Sequence, residues 1–147
     1  MKLNKLALHS ILITLIGLFG LSAELAIAKE KPNRVYELRT YTTLPGRLTA
    51  LNARFAGHTM KLFEKHGMRN EAYWIPTDDA HKDNTLIYVI SHESQEAAVK
   101  NWKEFNDDPE WVKVREASEA DGKILAKAPE SIFMTMTDYS PSLSHKQ

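Results

Sequence analysis

The chain has 147 residues, 19 basic against 19 acidic side chains, and no cysteine. That length suits one domain with a modest core. The balanced charge excludes the clustered basic excess of a nucleic-acid footprint, and the lack of cysteine excludes disulfides, thiol nucleophiles and thiolate metal sites.

Lys2 and Lys5 precede an almost uninterrupted apolar run from Leu6 to Leu21, and Ala26-Ile27-Ala28 follows as a small-x-small motif. This is the layout of an export signal. Residues 1–28 are therefore expected to be removed after Ala28, leaving a periplasmic or secreted chain that touches a membrane only through that segment. The competing expectation is an uncleaved anchor, because the run approaches the ~18 apolar residues that read as membrane-spanning. Residues 29–33 are charged, carry Pro32, and read as a short linker.

The domain proper is expected over residues 34–139. Val35-Tyr36-Glu37-Leu38-Arg39-Thr40-Tyr41-Thr42 is rich in aromatic and β-branched residues and reads as the first strand, stopped by Pro45 and Gly46. From Arg47 to His66, Leu48, Leu51, Phe55, Leu62 and Phe63 recur at helical spacing, and Gly67 is placed to cap that helix. Met68 to Ile75 reads as a second strand and residues 77–84 as a polar loop. Residues 85–91, Thr-Leu-Ile-Tyr-Val-Ile-Ser, form a near-continuous apolar third strand. Ser94 offers an N-cap to a helical pattern carrying Ala97, Ala98, Trp102 and Phe105. Asp108 and Pro109 should split that pattern into two helices, with Asp108 as N-cap, Pro109 first in the second helix and Trp111 stapled beside them. Ser131 to Tyr139 reads as the last strand, and residues 140–147 as a polar tail.

The order β-α-β-β-α-β predicts an α+β, ferredoxin-like domain with strands one and three central in an antiparallel sheet and both helices on one face. A face left to water should alternate apolar with polar residues, and strands three and four do not alternate. Leu86, Tyr88 and Ile90 lie on one parity, Ile87 and Val89 on the other. A second copy covering the other face, sheet to sheet, accounts for this pattern, so a homodimer is expected.

Tyr36-Glu37-Leu38-Arg39-Thr40-Tyr41-Thr42 with Pro45-Gly46 resembles the opening strand of NIPSNAP-domain proteins. Glu64-Lys65-His66-Gly67-Met68, Tyr73-Trp74 and Asp108-Pro109-Glu110-Trp111 match later landmarks of that family in the same order, so the resemblance spans about Val35 to Tyr139. It implies a dimeric α/β barrel of two ferredoxin-like halves. It implies no common activity, although relatives in the wider barrel superfamily include small oxygenases and haem-binding enzymes. The export signal and the His81-containing loop depart from many members.

In that barrel class the space between helix and sheet can open into a ligand pocket. His58, three residues after Phe55 and four before Leu62, falls at the edge of the sheet-facing stripe and could act there as general base or haem ligand. A core-margin histidine bonded to a neighbour is the plainer reading. His66, beside Gly67, suits a helix C-terminus. His81 and His92 are widely spaced in loop or strand-edge positions, no His-x-x-x-His occurs, and no metal site or cofactor is expected. Glu37 and Arg39 share a strand face and must be paired or bind something if buried. An ion pair fixing the dimer interface or sheet register is preferred over an anion or carbonyl anchor at Arg39. Tyr36, Arg39, Tyr41, Tyr73, Trp74 and Trp102 are the candidate lining of an apolar pocket. Glu37, Pro45, Gly46, Asp108, Pro109 and Trp111 are expected to be structural. The functional expectation is a homodimer holding a small hydrophobic or aromatic ligand, or a partner. The alternative is a small monooxygenase-like oxidoreductase or haem protein using His58.

Overall fold

The computed structural model describes residues 34–141 and 143, so the expected signal and linker, residues 1–33, lie outside it. The elements run β1 (Val35–Thr42), α1 (Leu48–Arg54), a π-helical turn (Phe55–Thr59), α2 (Met60–Lys65), β2 (Arg69–Trp74), β3 (Thr85–His92), α3 (Gln95–Asp107), α4 (Pro109–Ser118) and β4 (Glu130–Met134). The strands form an antiparallel sheet ordered β2-β3-β1-β4. β1 and β3 are thus central, as right-handed crossovers require. The domain is α+β and ferredoxin-like. Among the described residues no helix is long and apolar enough to cross a membrane.

Local chemistry sets the element ends. The Ser94 hydroxyl accepts from the Ala97 N–H at 3.1 Å and starts α3. The Asp108 carboxylate accepts from the Glu110 N–H at 2.8 Å, and Pro109 opens α4. Trp111 is buried beside this junction. After α2, Gly67 adopts φ +75° while the Met68 N–H donates back to the Phe63 carbonyl at 2.9 Å. A Cβ at Gly67 would also lie 3.3 Å from the Asn101 amide, so two constraints favour glycine there. Pro45 and Gly46 make the exposed turn after β1.

Two element boundaries differ from expectation. The helix expected over residues 47–66 contains a π turn. Its buried positions Leu51, Phe55, Thr59 and Phe63 are four apart, a spacing that drifts by ~40° per step in a regular α-helix. The wider turn takes out that drift, and the Thr59 hydroxyl donates to the Arg54 carbonyl at 3.2 Å inside it. β4 ends at Met134, five residues before Tyr139, because Met134 already pairs with Tyr36 and β1 starts one residue earlier at Val35.

Residues opposed in register share a face. Glu37, Arg39 and Tyr41 of β1 lie with Ile90, Tyr88 and Leu86 of β3 under the helices. There Tyr41, Phe55, Phe63, Tyr88 and Phe105 form a core of edge-on and tilted ring contacts 5.0–6.1 Å between centroids. The other face carries Tyr36, Leu38, Ile87, Val89, Ile132, Met134 and Trp74, with Ile132 58% and Trp74 51% exposed. No helix among the described residues covers it.

Candidate functional site

The densest polar cluster under the helices centres on Glu37, whose side chain is 1% exposed. Oε1 accepts from Arg39 Nη1 at 2.8 Å and Ser131 Oγ at 2.6 Å, while Oε2 accepts from Trp102 Nε1 at 2.7 Å and His92 Nε2 at 2.9 Å. Two donors per oxygen fill the acceptor capacity of a carboxylate. Burial alone would raise the Glu37 pKa. The bonds from His92, Ser131, Trp102 and Arg39 outweigh it and lower the value from 4.5 to about 2. Glu37 is therefore a fixed anion and not a proton acceptor for a ligand. Because an ionised carboxylate only accepts, His92 donates from Nε2, and its buried Nδ1 has no partner among the described residues.

This network sets an acid limit. Glu37 is ionised in the folded protein down to about pH 2 and protonated below about 4.5 when unfolded, so its contribution is complete above 4.5 and lost as pH falls towards 2. Such a shift corresponds to about 3 kcal/mol. Urea midpoints are expected to hold steady down to about pH 4.5 and then fall, and Glu37→Gln should flatten that fall. An unchanged acid slope in the variant would assign it to other carboxylates.

Arg39 is held twice. One nitrogen bonds Glu37, and the guanidinium lies 4.5 Å from the Trp102 ring centroid and 5.6 Å from that of Tyr41. Its Nε–H is buried and has no partner among the described residues. Directly opposite on β3, the Tyr88 hydroxyl is likewise buried and unbonded. Burial, with the neighbouring Tyr41 hydroxyl next in weight, pushes its pKa well above 10.

The remaining candidates scatter. Tyr73 stacks on Tyr88 at 5.2 Å and donates to Asn70 at 2.5 Å, as part of the core. Tyr36 and Trp74 lie on the opposite, uncovered face, where a cavity of about 280 Å³ is lined by them with Ala72, Val89, Met134 and Met136. Glu71, in a bulge of β2, accepts from Ser91 at its margin. His58 does not reach the helix–sheet space. It is exposed on the π turn and lines an outer groove of about 560 Å³ with Ala53, Arg54, Val114 and Ala117, because Thr59 occupies the buried stripe. His66 bonds Asp108 at 2.7 Å at the end of α2, and His81 bonds Asp78 at 2.7 Å on the surface. Among the described residues no three His, Asp or Glu side chains are grouped to hold a metal. The ring-filled layer under the helices leaves no slot for a haem beside the outward-facing His58.

His92, read in the sequence as a loop or strand-edge residue, is fully buried at the end of β3, and neither Ser131 nor Tyr88 was singled out as a site residue. One signal could have found the first two. A glutamate on a central strand, inside the core, must attract more donors than the single arginine two residues away.

The sheet order, with helices on one face and an uncovered apolar face on the other, defines a ferredoxin-like α+β domain. The chain belongs to the NIPSNAP family, whose model matches residues 36–141. A NIPSNAP-like domain protein from Burkholderia xenovorans is similar in structure with TM-score 0.64 and 15% identity, over 78% of this chain and 94% of that one. A NIPSNAP family protein with unknown function from Agrobacterium tumefaciens gives 0.62 at 18% identity, over 76% and 95%. A monooxygenase of Streptomyces coelicolor, solved with the ligand nanaomycin D, gives 0.51 at 21% identity, over 76% and 95%. At these identities the likeness is one of fold. No curated protein matches the chain.

Proposed function

We propose that this NIPSNAP protein acts, after export and removal of residues 1–28, as a homodimer closed sheet to sheet that binds a small apolar or aromatic molecule in the cavity beside Trp74. The observation that carries this reading is the uncovered sheet face. It presents Leu38, Ile87 and Ile132 on the same face as an apolar cavity of about 280 Å³ lined by Val89 and Met134, while the opposite face is covered by its own helices. An exposed apolar sheet of this kind marks an interaction surface, and a second copy offers the same surface in return. Glu37 and Arg39, on the helix-covered face, hold the fold and not this interface.

The likeness to a monooxygenase supports the fold behind this reading. The oxidoreductase alternative loses the base expected for it, because His58 faces outwards.

Native mass spectrometry of protein exported and purified without refolding tests the reading. A dimer of chains starting at Lys29 with a retained adduct is expected. A bare monomer would overturn it. Ile132→Asp, on an exposed edge strand, should leave the melting temperature of the subunit nearly unchanged while weakening the dimer by about a hundredfold or more, through a charge buried in an apolar interface.

A further inference from the structure

The geometry points to a second site, on the outer side of the helices, where the groove between α1 with its π turn and α4 binds a free aliphatic carboxylic acid. The groove holds about 560 Å³, within the range of small-molecule pockets, and opens to solvent. Its floor is apolar and made of short side chains, Ala50, Ala53, Val114 and Ala117. The π turn forms one wall. By seating Thr59 in the buried stripe it turns His58 out into the groove, and such turns recur at functional sites. Arg54 and Lys113 line the same groove. The Arg54 side chain is only 3% exposed, with its guanidinium 5.3 Å from the Trp111 ring centroid. Nη1 donates to Ser118 Oγ at 3.2 Å and to Glu119 Oε1 at 3.3 Å. The other edge of the guanidinium, Nε–H with Nη2, has no acceptor among the described residues, and Nε is buried. A buried donor carries the full cost of leaving water until something accepts from it.

A carboxylate fits that edge, because a guanidinium offers it two parallel N–H bonds. The charge to match the ligand comes from Lys113. Glu119 already pairs with Arg54, whereas Lys113 is exposed and forms no ion pair among the described residues. Glu110, the acidic side chain of the groove, is turned to Lys65 at 3.2 Å. A single uncommitted positive charge suits a singly charged acid better than a phosphate monoester, which carries close to two. The lining holds no phenyl, phenol or indole ring to stack on, and its alanine and valine carbons gain by covering an aliphatic chain. This groove is separate from the cavity beside Trp74, which lies on the uncovered face of the sheet.

The test is titration of the full exported protein with octanoate, with 1-octanol as its uncharged counterpart. It is read by the ring resonances of His58 and the indole N–H resonance of Trp74. Saturable binding that shifts His58 and leaves Trp74 in place is expected, with octanol at least about tenfold weaker. Lys113→Glu changes an exposed, unpaired side chain, so it should fold and weaken octanoate about tenfold. Arg54→Lys keeps the charge, loses the fork and should weaken octanoate as well. No saturable binding, or octanol bound as tightly as octanoate, would overturn the site. Equal octanoate binding by wild type and Lys113→Glu would overturn it too. A shift at Trp74 alone would also overturn it, and would instead favour the cavity on the uncovered face.

Discussion

Replacing Glu37 with alanine is expected to lower the melting temperature by roughly 15–30 °C, the fall that 3–5 kcal/mol produces in a domain of this size. Alanine removes the acceptor for Arg39, Ser131, Trp102 and His92 together. The charge of Arg39 then stays in place without compensation, and breaking a buried pair from one side costs far more than the pair is worth. Glu37→Gln should fall between, since its amide oxygen still accepts from two donors while its NH₂ faces others. Circular dichroism melts on the three proteins check the order. A loss of only a few degrees in the alanine variant would mean that water enters and replaces the carboxylate.

Phe63→Ala is expected to cost about as much, 3–5 kcal/mol, for an apolar reason. Phe63 is 1% exposed and lies 5.0–6.1 Å by ring centroid from Phe55, Tyr88, Trp102 and Phe105. Its removal opens a cavity in the middle of a rigid ring cluster that cannot collapse freely. Phe63→Leu should recover most of the loss, because the aliphatic chain fills much of the volume. Val99→Ala on α3, a position 70% exposed, should leave the melt nearly unchanged and serves as control. Equal melts for the two alanine variants would show that the ring cluster is not the stabilising core.

Much of this architecture could be read from the residues because its signals are local. The apolar run of β3, the capping serine and aspartate at positions 94 and 108, the proline at 109 and the glycine at 67 each act within a few residues of themselves. The uncovered apolar face was legible too, since Ile87 and Val89 break the alternation that a solvated face requires. His58 was misplaced because apolar spacing assumes 3.6 residues per turn. The π turn shifts the helix phase, and the residue that fills the buried stripe, Thr59, is polar and carries no hydrophobic signal. The polar cluster was half legible. Glu37 and Arg39 announced a buried pair, but their other partners come from β3, α3 and β4, and nothing in the spacing of Ser131 or His92 points back to residue 37. The expected extension of β4 to Tyr139 failed because a strand's length is set by its partner as much as by its own residues.

The bonds that converge on Glu37 join it to residues 55, 65 and 94 positions away along the chain. Contacts of such long sequence separation require most of the chain to be ordered before any of them is rewarded. The carboxylate is therefore expected to act late on the route to the native state, with its interactions largely missing from the transition state. Its loss falls on the rate at which the domain opens more than on the rate at which it forms. Glu37 is in that sense a latch, setting how long each folded molecule persists once made.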